Sequence, residues 1–141
     1  MDTTTNDTAA RLRYAITRLN RRLRQSALGG VSPAQASLLA TVQGLHHPSL
    51  GELAVAEQVQ PPTVTHLVRE MERTGLLSRV ADADDRRCTR VELTAKGRRE
   101  LAAIRQRKNE FLDQSLRALP ESERWRVDEL VALLERLLEE S

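Results

Sequence analysis

The 141-residue sequence predicts a mainly α fold carrying a small β-hairpin, α+β in class. Three observations carry this. Apolar residues recur at spacings of three and four along most of the chain, whereas residues 76–93 switch to two short runs around a charged loop. Aromatic residues make up only 2% of a chain that is 40% hydrophobic and 30% charged, which suits a helical core of leucine, valine and alanine. A chain this long fills one domain, 1–141, and is short for two.

Asp7 to about Leu28 reads as a long amphipathic helix, because Leu12, Ile16, Leu19 and Leu23 fall on one face and arginines on the others. Gly29-Gly30 ends it. Ser32-Pro33 supplies a cap and a first-turn proline for a second helix through Leu38, Leu39 and Val42, which should stop near Gly44. Ser49-Leu50-Gly51-Glu52 has capping-box spacing and opens a short third helix that buries Leu53 and Ala54. Gln60-Pro61-Pro62-Thr63 breaks it and begins a fourth, with Val64, Leu67, Val68 and Met71 as one apolar stripe. Two short helices about a tight break form a helix-turn-helix pattern, and Gly75 ends the second.

Leu76–Val80 and Thr89–Leu93 then read as strands around the polar segment 81–87, the simplest form of a wing. Thr94 caps a long helix carrying Leu101, Ile104, Phe111, Leu112, Leu116 and Leu119, which Pro120 breaks. The last helix carries Val127, Leu130, Val131, Leu134, Leu137 and Leu138, and Leu133 widens its apolar surface beyond one stripe. A domain this small can hardly cover all of that surface. The first and last helices, about 7–28 and 98–141, are therefore expected to form an isologous homodimer interface, with about 33–97 as a winged helix-turn-helix lobe. The alternative is that they close a monomeric bundle.

Bulk charge decides little at +2, but its distribution is informative. Thr8 to Gly51 contains no acidic residue and holds Arg11, Arg13, Arg18, Arg21, Arg22 and Arg24, whereas the last helix is rich in glutamate. A lone cysteine, Cys88, rules out an intramolecular disulfide and fits a reducing compartment. No apolar run approaches the roughly 20 residues of a membrane span, and the polar start MDTTTND lacks a signal peptide's apolar stretch. A cytoplasmic protein without membrane partners is expected.

The fourth helix presents Pro62, Thr63, Thr65, His66, Arg69, Glu70 and Arg73 opposite its apolar stripe. A helix of this size fits the major groove of duplex DNA, where Arg69 can read guanine and Thr63 a thymine methyl or a phosphate. Taken alone, the same face is equally a solvated helix surface. An arginine at the tip of the hairpin, where Asp84 and Asp85 precede Arg86 and Arg87, can enter a narrow minor groove. Taken alone, a charged hairpin is a solvated turn. The two together, one strand apart, present a single face to a duplex.

The runs Leu50-Gly51-Glu52-Leu53-Ala54, Pro62-Thr63-Val64-Thr65-His66-Leu67-Val68, Met71-Glu72-Arg73-Thr74-Gly75-Leu76-Leu77-Ser78-Arg79, Asp85-Arg86-Arg87 and Val91-Glu92-Leu93-Thr94-Ala95-Lys96-Gly97, in that order and spacing, resemble the MarR family of bacterial regulators. The resemblance implies a triangular homodimer that binds double-stranded DNA at a pseudo-palindromic operator. It makes the helix from Pro62 to Thr74 the recognition helix and Arg87 the wing arginine of the aspartate-x-arginine motif begun by Asp85. Arg86 and Arg90 become expected phosphate contacts. Family members usually repress their own or neighbouring genes, and many release DNA when a small lipophilic or phenolic effector occupies a cleft between the two lobes. On that geometry His46 and His47, with Tyr14 and Arg18, are expected to border the cleft.

Cys88 lies in the wing among arginines, so a redox role is open beside that of an ordinary strand residue. His46, His47 and His66 lack metal-ligand spacing, and neither a metal nor another cofactor is expected. The sequence holds no phosphate-binding glycine loop, nucleophile elbow or catalytic cluster, so an enzyme is not expected. The remaining alternatives are a helical protein–protein interaction module and a DNA-binding activator or architectural protein.

Overall fold

The computed structural model describes residues 3–141; Met1 and Asp2 of the polar start lie outside them. In chain order the elements are α1 (Thr3–Ala27), α2 (Pro33–Leu45), α3 (Leu50–Glu57), α4 (Pro61–Arg73), β1 (Leu77–Ala81), β2 (Thr89–Leu93), α5 (Ala95–Arg117) and α6 (Glu121–Glu139). The predicted order of elements holds, with shifts at the ends. Helix α1 begins at Thr3 instead of Asp7, since no proline or glycine interrupts the threonines and Asn6 ahead of it. Leu119 falls in the turn before Pro120, beyond the end of α5.

The helix starts follow from local chemistry. Ser32 and Gln35 form a reciprocal capping box: the Gln35 N–H donates to Ser32 Oγ and the Ser32 N–H to Gln35 Oε1, each at 3.1 Å. Ser49 Oγ likewise accepts the Glu52 N–H at 3.1 Å. Helix α2 ends where His46 and His47 both take left-handed backbone angles, φ 51° and 55°, which turn the chain sharply into buried Pro48. Gln58, also left-handed, ends α3, and Gln60 and Pro61 start α4 within three residues. That short break sets α3 against α4.

Strands β1 and β2 pair antiparallel, with Leu77 opposite Leu93 and Ala81 opposite Thr89. A single bridge adds to this pairing: Ser49 bridges Arg90, and the Val91 N–H donates to the Pro48 carbonyl at 2.9 Å. The hairpin is thereby stitched to the start of α3.

One core unites this lobe. Leu38, Leu39 and Val42 of α2, Leu53 and Ala54 of α3, Val64, Val68 and Met71 of α4, and Leu77, Val91 and Leu93 of the hairpin are buried together. Leu101 and Ile104 of α5 close it from one side, and Ala27 marks where the C-terminus of α1 reaches it. Arg107 of α5 donates to the Ala27 carbonyl at 2.9 Å and caps that helix end. Helix α6 differs from the rest, because none of its residues is buried. Leu130, Val131, Leu133 and Leu137 remain about half exposed, and so do Tyr14, Ile16 and Leu19 of α1.

Candidate nucleic-acid interface

Helix α4 is split cleanly into two faces. Val64, Val68 and Met71 point into the core with half-buried Leu67 beside them, so the helix has one fixed rotation about its axis. Pro62, His66, Arg69 and Arg73, spaced by four, three and four, then stack on the opposite side, all exposed, with exposed Thr63 at the N-terminal end. Thr65 sits differently: it is half buried and its hydroxyl donates to the Pro61 carbonyl at 3.0 Å. Its donor is spent on its own helix.

The far end of α4 is held rigidly. Lys96 Nζ donates to the Thr74 carbonyl at 2.7 Å, placing a cation at the negative end of the helix dipole. Arg79 of β1 pairs with Glu72 at 2.6 Å and ties the hairpin to the same helix. Arg69, Arg73 and Arg86 form no ion pair with any described residue.

The wing loop is ordered by two aspartates. Asp82 Oδ1 accepts the backbone N–H of Asp84 at 2.8 Å and of Asp85 at 3.4 Å. Asp85 Oδ1 accepts the Arg87 N–H at 3.0 Å. Both are side-chain turns that fold the loop back on itself. The Arg87 side chain is 94% exposed and meets Asp85 only at 3.5 Å, so its guanidinium projects into solvent at the tip. The backbone amide of Asp84 and the guanidinium of Arg90 hold the Asp82 carboxyl below the usual carboxylate range.

Arg90 is placed differently from the phosphate contact expected of it. Its guanidinium binds Asp82 at 3.0 Å and Glu52 at 2.9 Å, and these partners raise its pKa further. It is half buried because it lies on the pairing segment of β2, where the chain passes over Ser49.

The four residues expected to border a ligand cleft do not come together within one chain. Tyr14 and Arg18 lie along a shallow groove of α1, with the guanidinium 5.4 Å from the ring centroid. His46 and His47 line other depressions beside the hairpin, where His47 Nδ1 lies 3.5 Å from Glu92. The histidine pair, at positive φ, lies beside Glu92 and Leu93 of β2.

A further cavity, about 520 Å³, lies between α1, α2 and α5, lined by Asn20, Arg24, Ala36, Ser37, Leu101, Ile104, Arg105 and Lys108 among others. Glu57, at the end of α3, is on its wall, and both its oxygens are engaged: Ser37 donates to one at 2.8 Å and Thr41 to the other. Sequence reasoning missed this carboxylate, whose partners lie in another helix.

Cys88 is half buried at the base of the wing, with its backbone bonded to Asp82 and Asp85. No group of three or more histidine, cysteine or acidic residues among the described residues is arranged to hold a metal. No helix of the described residues is long and apolar enough to cross a membrane.

Comparison with known proteins bears on this lobe and on the whole chain. A model of the MarR family matches residues 31–89, from just before α2 to the first residue of β2. An HTH-type transcriptional regulator of Mycobacterium bovis is 31% identical over 134 residues, covering 94% of either chain. The crystal structure of a transcriptional regulator from Pseudomonas aeruginosa superposes with a TM-score of 0.83 at 36% identity, over 98% of this chain and 99% of that one. A Staphylococcus aureus MepR variant bound to an oligodeoxyribonucleotide shares the fold, with a TM-score of 0.70 at 23% identity over 94% and 96%.

Proposed function

Because the chain belongs to the MarR family and is a DNA-binding transcriptional regulator, not an enzyme, we propose that it acts as a homodimeric repressor on a pseudo-palindromic operator. Its DNA contacts are made by α4 and the wing. The observation that carries this is the exposed stripe of Pro62, Thr63, His66, Arg69 and Arg73 on a helix whose other face is locked into the core. Thr63, His66 and Arg69 face base edges in the major groove, and Arg73 and Arg86 face phosphates. Arg87 enters the adjacent minor groove, with Asp85 shaping the loop that carries it.

The dimer is built from 3–27 and 95–139, and residues 33–93 form the DNA-binding lobe. Support for this division comes from α6, which buries nothing within one chain and leaves Leu130, Val131, Leu133 and Leu137 half exposed. Covering each such side chain contributes roughly 1 kcal/mol, so both copies of α6 supply a substantial driving force. Arginine-rich α1 and glutamate-rich α6 are also matched in charge across such an interface.

The effector is a small lipophilic or phenolic anion held in the α1–α2–α5 cavity, whose wall combines Leu101 and Ile104 with Arg24, Arg105 and Lys108. This site replaces the Tyr14, Arg18, His46 and His47 grouping. Since its target is bacterial chromosomal DNA, the protein works in the cytoplasm.

The test is a fluorescence-anisotropy titration against DNA flanking the gene itself, at two salt concentrations, with unrelated duplex as competitor. Specific binding should survive the competitor and weaken with salt at a log–log slope near −0.9 per phosphate neutralised. Binding that ignores salt would instead indicate docking through an apolar face.

A further inference from the structure

Arg90 adds a side-chain link among three segments, α3, the wing loop and the His47 turn, beside the backbone bridge at Ser49. Its Nε donates to Asp82 Oδ2 at 3.0 Å, and its Nη1 donates to Glu52 Oε1 at 2.9 Å and to the His47 carbonyl at 3.4 Å. Glu52 belongs to the first turn of α3, and Asp82 is the residue whose other oxygen gathers the amides of Asp84 and Asp85. The connection therefore runs from α3 through Arg90 to Asp82, and from there into the turn that carries Asp85 and Arg87.

We propose that Arg90 is a positioning residue, which sets the wing, and with it Arg87, against the helix-turn-helix through Asp82 and Glu52 and does not itself contact DNA. The inference rests on the proposed entry of Arg87 into the minor groove.

Charge supports a positional role. Two carboxylates face one guanidinium, so the cluster carries a net charge of −1 beside the face assigned to a polyanion. On Coulombic grounds alone such a cluster opposes DNA binding, and removing an acid from it should tighten the complex. Its benefit must then be conformational. A loop that keeps its bound shape before binding avoids the ordering cost of binding, which a free-swinging wing would incur in full. Planar Arg90 suits the task because its fork addresses two carboxylates at once, which a lysine ammonium on a flexible stem does less well.

The test exploits this opposition of sign. A duplex selected from a random pool by the wild-type protein serves as the probe for Asp82→Ala, Glu52→Ala, Arg90→Gln and Arg87→Ala, each titrated at several salt concentrations. Positioning predicts that Asp82→Ala, although it removes a negative charge, weakens binding about fivefold or more. Arg90→Gln should also weaken it while leaving the salt slope unchanged, whereas loss of a phosphate contact would reduce the slope by about 0.9. Hydrogen exchange at the Asp84 and Asp85 amides should accelerate in Arg90→Gln, with the far-ultraviolet spectrum intact. Glu52→Ala repeats the sign test from the α3 side, should the loop variant misfold.

Unchanged or tighter binding by both acidic variants, or a reduced slope for Arg90→Gln, overturns the inference. Arg87→Ala separates the two levels. If it binds as wild type does, the wing contact itself is wrong and the inference falls with it. If it weakens while the acidic variants do not, only the positioning role falls.

Discussion

The backbone of Gly97 passes so close to the carbonyl oxygen of Leu76 that a Cβ at position 97 would lie 2.1 Å from it. Leu76 ends the α4 turn and Gly97 lies in the first turn of α5, so this contact seats the long helix on the winged helix-turn-helix. Thr94 completes the junction: its Oγ1 donates to the Gly75 carbonyl and accepts the Gly97 N–H at 3.0 Å. The obstacle is backbone, which cannot rotate aside as a side chain would. Gly97→Ala should therefore destabilise the fold by about 3 kcal/mol, read from the urea midpoint at fixed protein concentration. A midpoint within error of wild type would mean that the helix and turn part easily.

Arg69→Ala should relax sequence preference more than it lowers affinity for unrelated duplex. Arg69 stands on the exposed face of α4 without an ion-pair partner among the described residues, free to bind a base edge. Loss of one bidentate base contact costs about 1–3 kcal/mol of discrimination, visible as a flattened base preference in competition titrations. Equal weakening on all sequences would instead make Arg69 a phosphate contact.

Leu137→Asp should convert the protein to monomers. Leu137 is 47% exposed in one chain, on a helix that buries nothing of its own. A charge placed there costs several kcal/mol if the position is covered in the dimer and almost nothing if it faces water. Sedimentation velocity distinguishes these cases, and the monomer should also lose more than tenfold in operator affinity because one half-site is given up.

Acid should act on the wing only at low pH. Asp82 has its folded pKa depressed, first by the Asp84 amide and then by Arg90. Its contribution to wing order is therefore complete above the ordinary carboxylate range and is lost as pH falls through the depressed value. Between roughly pH 5 and 8 Asp82 stays ionised, so its hold on the Asp84 and Asp85 amides should not change across that window. Carboxyl chemical shifts followed by NMR should place the Asp82 midpoint below the usual range in the wild type and higher in Arg90→Gln. The same midpoint in both would detach Asp82 from Arg90 in solution.

What could be seen in the sequence was what repeats along it. Val64, Val68 and Met71 carry a helical period strong enough to fix α4 and to tell its buried face from the side bearing Arg69. Ser32-Pro33, Ser49, Gly75 and Pro120 mark boundaries through local chemistry, which is why the element order was legible. Contacts between residues far apart in the chain leave no such trace. Thr41 and Glu57 meet across 16 residues and Arg90 and Glu52 across 38, once packing has set α2 beside α3 and β2 over Ser49. The positive φ at both His46 and His47, beside Glu92 and Leu93, is likewise something that two adjacent histidines do not announce.

Hydroxyl-radical footprinting on a duplex selected from a random pool tests most directly whether two copies of α4 and two wings grip one duplex. Two protected windows related by a dyad and about one helical turn apart are expected, each flanked by a protected minor-groove segment. In Arg87→Ala the flanking protection should vanish while the central windows persist. A single undivided window, or flanks that survive the loss of Arg87, would contradict a dimer that reads both grooves in this way.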